Sequence, residues 1–217
     1  MRRMKRLSAI AAAGFLGAAA LTATNASAAP LAQWTVTNPS VADTFTAVNS
    51  AGVSAVLTNS STGAQLVCNT YAANGVAADG VRPTGSGLAT IQNATFGTTS
   101  AKCTGPLGST WTAKSNAPMA LNGVSYSAGV TKGTITGVDI TLSGTSLLGS
   151  CTAKITGAAN TGTYTNATGV LQILADTTPA LTISNVTGNC AGLLNNGNTA
   201  KFTAKYQVTP IITVTSP

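Results

Sequence analysis

Histidine and glutamate are missing from the 217-residue chain, and its only side-chain carboxylates are Asp43, Asp79, Asp139 and Asp176. Without an imidazole or a Glu, Ser-His-Asp and Cys-His catalysis, His-based metal sites and a Glu acid or base are all excluded. The aspartates do not fill the gap. Asp43-Thr-Phe and Asp176-Thr-Thr lack the Asp-Thr-Gly or Asp-Ser-Gly setting of paired aspartic-protease carboxylates. Neither Asp79 nor Asp139 opens an Asp-x-Asp-x-Asp-Gly calcium loop, so all four read as turn or solvent-facing residues. No motif supports a Ser-Lys dyad. We therefore expect no enzyme, no metal site and no cofactor.

Charge is also scarce, at 7% of the chain, and four of the eleven basic residues, Arg2, Arg3, Lys5 and Arg6, crowd the first six positions. An apolar run from Leu7 to Leu21 and a small-x-small site at Ala26-Ser27-Ala28 follow them, the pattern of a secretory signal peptide over residues 1–28. The run is too short, and too diluted after Thr22, for a span of about 20 apolar residues. Lys5 and Arg6 fall where a twin-arginine signal favours apolar residues, so general secretion is expected, with no transmembrane segment after cleavage. The mature chain, 29–217, keeps seven Lys and Arg against four Asp, a net charge of +3. These are scattered, with no basic run to follow a phosphate backbone, and nucleic acid is not an expected partner.

What remains is 44% apolar, with Thr, Val and Ile recurring in short alternations. That composition predicts a folded, all-β domain of antiparallel strands in one sandwich or two joined units. Trp34 and Val36 share one face of an opening strand, and a second is expected at Thr44 to Val48. Near the end, Phe202, Ala204, Tyr206 and Val208 point one way and Lys201, Thr203, Lys205 and Gln207 the other. Leu171 to Leu174 reads as a buried strand, Ile211 to Thr215 as a closing one, and the Gly-, Ala- and Pro-rich run from Ala72 to Gly87 as a long loop.

An echo runs through the mature sequence. Cys103-Thr-Gly-Pro-Leu-Gly-Ser-Thr-Trp-Thr-Ala-Lys114 and Cys190-Ala-Gly-Leu-Leu-Asn-Asn-Gly-Asn-Thr-Ala-Lys201 share Cys, Gly, Leu and a closing Thr-Ala-Lys. Trp34-Thr35 and Ser50-Ala-Gly-Val53 recur at Trp111-Thr112 and Ser127-Ala-Gly-Val130 with the same spacing. We read a tandem duplication, repeat one at about 34–114 and repeat two at about 111–201, with closing strands over 202–217. Four cysteines in an exported chain imply two disulfides and allow three connectivities. The register of the repeats selects one bridge per repeat, Cys68 to Cys103 and Cys151 to Cys190. With no CxxC pair and no histidine, a zinc site has nothing to build on.

Aromatic residues make up only 5% of the chain. Trp34 and Trp111 are the candidates for a ligand-stacking surface, set against core packing, which their recurrence in the repeat favours. Asn59, Asn93, Asn166 and Asn185 head Asn-x-Ser/Thr sequons that Thr and Asn richness explains. The Ala-rich leader, the low charge and the segments Gly162-Thr-Tyr-Thr-Asn166 and Asn185-Val-Thr-Gly-Asn-Cys-Ala-Gly192 resemble a group of uncharacterised exported proteins of actinobacteria. The resemblance implies a secreted, β-rich protein and brings no catalytic or binding residues with it. The expected function is a non-enzymatic structural or interaction protein, secreted or at the cell surface, whose partner is a wall or surface polymer or another secreted protein. The alternatives are a carbohydrate- or small-ligand-binding module and a protease inhibitor presenting the Ala72 to Gly87 loop.

Overall fold

Short runs of Thr, Val, Ile and aromatic residues, punctuated by Gly, Asn and Pro, dictate strands and turns. The computed structural model describes residues 33–146, 148–174 and 181–217, and the expected signal peptide lies outside them. The first eight strands are β1 (Trp34–Thr37), β2 (Thr44–Asn49), β3 (Ala55–Asn59), β4 (Gln65–Cys68), β5 (Tyr71–Val76), β6 (Gly80–Arg82), β7 (Ala89–Phe96) and β8 (Cys103–Thr104). A 3-10 turn at Pro106–Gly108 leads into β9 (Thr110–Ser115). Then come β10 (Met119–Ser127), β11 (Val130–Ser146), β12 (Gly149–Thr165), β13 (Val170–Ile173), β14 (Leu181–Gly188), β15 (Thr199–Thr209) and β16 (Thr213–Thr215). No α-helix occurs among the described residues, so none there is long and apolar enough to cross a membrane.

The pairings given for these strands are antiparallel, as expected, and the large sheet closes on itself. One circuit of eight strands runs β2, β5, β7, β10, β11, β12, β13, β15 and back to β2. A second, also of eight, runs β3, β4, β8, β9, β11, β12, β14, β15 and back to β3. The circuits share β11, β12 and β15. The first part of β11 pairs with β10 and the last part with β9, while β12 follows it along both. Register shifts on either side of Ile135 mark the changeover, since a bulge bends a strand and re-aims its side chains. A separate sheet, β16-β1-β6, contributes Val36 and Val214 to the core shared by both circuits.

Leu31–Pro217 forms one compact unit with one apolar core. The two echoing turns behave differently within it. Ser127–Val130 closes a β10-β11 hairpin whose Ala128 and Gly129 both have positive φ, the backbone that a tight two-residue hairpin needs. Ser50–Val53 also turns the chain, through Val53 N–H to Ser50 O at 3.1 Å, but β2 and β3 pair with opposite ends of β15 rather than with each other.

Two sequence expectations need correction. The run from Ala72 to Gly87 is not one long loop: β5 occupies its start, paired on both edges with β2 and β7, and β6 follows. Tyr71 fixes that strand, its buried ring's hydroxyl donating to Lys205 O at 2.8 Å and accepting from Lys205 N–H at 3.2 Å. Small Ala and Gly side chains there are wall residues of a closed sheet, not loop formers. Leu174, read as part of a buried strand, lies just beyond β13 and is exposed.

Candidate functional site

Both disulfides form as the repeat register selects, Cys68 to Cys103 and Cys151 to Cys190. All four cysteines lie in or directly beside the second circuit, and neither bridge spans the first. Each closes a loop of 35 or 39 residues in sequence separation, worth about 4 kcal/mol on the chain-entropy account. Such bridges persist in an oxidising compartment.

Trp34 and Trp111 do not form a surface platform, because both are buried, at 6% and 1% exposure. Each lies against a glycine. A Cβ on Gly144, the cross-strand partner of Trp111, would sit 2.2 Å from its ring, and a Cβ on Gly123 would sit 2.6 Å from the ring of Trp34. Only glycine leaves room for the indoles. Trp111 Nε1–H donates to Ser109 Oγ at 2.9 Å, satisfying the one polar group that burial of the ring would strand.

The titratable side chains are dispersed. Lys154 and Asp139 pair across β11 and β12 at 3.2 Å. The Asn116 amide, and after it Lys154, hold the Asp139 carboxyl below its ordinary range against a smaller opposing effect of burial. Asp79 accepts from Asn38 N–H, and Asp79 N–H reaches Asp43 at 3.5 Å, a loop-fixing arrangement beside β1. Asp176 lies outside the described residues. Among the described residues no three Cys or Asp side chains gather where they could hold a metal ion.

Two apolar cavities lie between the strands. The first chamber, about 80 Å³, is walled by strands of both circuits, with Leu66, Trp111 and Leu181 from the second, Ala47, Ile91 and Phe96 from the first, and Leu142, Ile155 and Phe202 from the strands they share. The second, about 90 Å³, lies within the first circuit and beneath β1 and β16, against Val36, Leu88, Leu121, Val208, Ile212 and Val214. Phe45, Ile135, Ala159, Leu171 and Ile173 belong to both walls and so lie between the chambers. Among the described residues neither wall contains a charged side chain.

No family model, curated protein or solved structure matches this chain. The chemistry of the interior must therefore be argued from its own residues. Protein interiors pack at crystal-like density with few voids larger than a water molecule. An unfilled void costs about 24 cal/mol per Å³, so each chamber represents about 2 kcal/mol of stability forgone. The cause is legible locally: Ala47, Ala55, Ala73, Ala94 and Ala113 line the first chamber from five different strands. An eight-stranded circuit has an interior that side chains can just fill or that one small ligand can occupy. Here short side chains leave the second option open.

The sequence did not single out these wall residues. Alternation identified inward positions such as Ala204 and Tyr206, but which strand faces each, and whether it fills the gap, depends on long-range pairing. Thr131 was missed for the same reason. It reads as a polar strand residue, yet it is 5% exposed, lies in the second chamber's wall, and its hydroxyl is buried without a hydrogen-bond partner.

Proposed function

We propose that this is an exported, non-enzymatic protein that holds a small apolar ligand inside its closed β-circuits. The observation that carries this reading is the pair of charge-free chambers lined by antiparallel strands. Both disulfides suit an oxidising, extracytoplasmic setting, and a signal peptide over 1–28 together with kinship to exported actinobacterial proteins belongs to the same proposal. The lack of His and Glu supports binding over catalysis. Burial of Trp34 and Trp111 weighs against sugar stacking on an open face, and the pairing of β5 on both edges weighs against an inhibitory loop at Ala72 to Gly87.

A structural or adhesive role at the wall is the second reading. It is favoured by outward threonines that bond across strands, as Thr152 and Thr187 do between β12 and β14. The two readings separate in one experiment. Octane, a slender neutral probe that suits the two chambers taken together, raises the melting temperature of an interior binder by about 5 °C or more at a hundredfold excess over Kd. Ala159→Leu, which fills the space between the chambers, removes that rise. An unaltered melting temperature at saturating octane contradicts the interior-binding reading and leaves the structural one.

A further inference from the structure

The two chambers differ in polarity. The first has Thr112 and Tyr206 as its hydroxyl-bearing side chains, and the Tyr206 ring packs edge-on against Tyr71 at 4.9 Å. The second has Asn122, Thr131, Thr134, Thr163 and Tyr164 among its wall residues. Most of its polar capacity outside Thr131 is already used. Asn122 accepts from Gly87 N–H at 2.8 Å and donates to Thr136 Oγ1 at 3.1 Å. Tyr164 donates to Ile212 O at 2.8 Å and accepts from Ile212 N–H at 2.9 Å. Thr131, cross-strand neighbour of Tyr164, has nothing. A buried hydroxyl without a partner is costly and uncommon in a folded protein.

Resting on the interior-binding reading above, we infer that the ligand is a slender, neutral amphiphile: its hydroxyl or carbonyl oxygen meets the Thr131 hydroxyl in the second chamber, and its hydrocarbon tail passes Ala159 into the first. Each chamber is smaller than the roughly 150 Å³ cavity that takes up benzene, and the two together exceed it, which suits a chain of about eight carbons. Neutrality follows from the walls. A carboxylate or ammonium carried inside would find no counter-charge, and an unpaired buried charge is prohibitive. A hydroxyl or carbonyl head needs one partner, and Thr131 is the wall residue whose fully buried hydroxyl has none.

The test uses the full mature chain and three probes, octane, 1-octanol and octanoate, titrated by isothermal calorimetry and methyl NMR. The expected result is that octane and octanol both bind while octanoate is weaker than octanol by at least about a hundredfold. Thr131→Val, nearly isosteric, lowers octanol affinity about three- to tenfold and leaves octane unchanged. Thr131→Ser, which keeps the hydroxyl, retains the octanol preference. Equal losses for octane and octanol in Thr131→Val, or no loss for octanol, overturn the amphiphile assignment while interior binding stands. Failure of octane and octanol alike to bind the unaltered protein overturns the interior-binding reading itself. A readout on the unaltered protein keeps the test decisive should a variant not fold. Intermolecular NOEs from the octanol C1 protons must fall on Thr131 and its second-chamber neighbours. NOEs to Trp111 or Tyr206 instead reverse the orientation and refute the inference.

Discussion

The two circuits enclose one core but are secured by different chemistry. The second carries both disulfides, which act by limiting the unfolded chain. The first has none in the strands it does not share with the second, and is covered by β1, β6 and β16, where the last strand is held by side-chain hydrogen bonds. Tyr164 clasps the backbone of Ile212 in both directions, and Asn166 does the same for Val214, donating to its carbonyl at 2.8 Å and accepting from its N–H at 3.1 Å. Covalent locks at one end and a hydrogen-bonded latch at the other mean that the first circuit can loosen locally while the second stays closed. The chamber with the unpartnered hydroxyl lies under the latch, at the end suited to admitting a ligand.

That contrast is broken or sharpened most strongly at the disulfides. Replacing Cys68 and Cys103 together by Ala lowers unfolding free energy by about 4 kcal/mol in urea titrations, and the Cys151 and Cys190 pair by a similar amount. Next is the packing of Trp111. Gly144→Ala forces a methyl into the indole and costs about 3 kcal/mol, measured the same way. The latch comes third. Tyr164→Phe costs about 1.5 kcal/mol by leaving the Ile212 backbone groups unpaired, and in hydrogen exchange it deprotects the Ile212 and Val214 amides while those of β12 and β14 beside the disulfides keep their protection. A latch variant as costly as a lost disulfide, or one that deprotects both circuits together, contradicts the division.

The smallest effect is electrostatic. The Asp139 carboxyl is held below its ordinary range, so its contribution is present above that range and lost as pH falls through the folded value, below about pH 4. Asp139 and Lys154 are both about one-third exposed, so Asp139→Asn costs less than about 1 kcal/mol, an effect that salt screens. With no His and no Glu in the chain, stability and octanol affinity are both flat from about pH 5 to 9. A step in either within that window, other than one at the chain's α-amino group near about pH 8, points to a titrating group that the structure does not provide.

The strands were legible because a half-buried strand writes its two faces into alternate residues, as β15 does with Ala204, Tyr206 and Val208 inward. The disulfide pairing was legible because scarce residues, Cys and Trp, fall into register. Local likeness did not fix packing, however. In the matching Cys-x-Gly-x-Leu segments, Leu107 is exposed and has a positive φ, whereas its counterpart Leu194 is fully buried. Closure of the circuits was not legible, since it depends on β15 meeting β2 and β3 more than a hundred residues away in sequence. For the same reason the alanines of β5 read as a loop, and the chambers and Thr131 went unseen. A void depends on what stands opposite each small residue, and that is a property of the closed sheet.

The most direct measurement is a crystal structure of the mature protein under xenon pressure, since xenon enters enclosed apolar cavities without needing a polar partner. Xenon is expected in both chambers, on either side of the shared wall residues Phe45, Ile135, Ala159, Leu171 and Ile173. An interior packed to ordinary density, with no xenon in either chamber, contradicts the interior-binding reading.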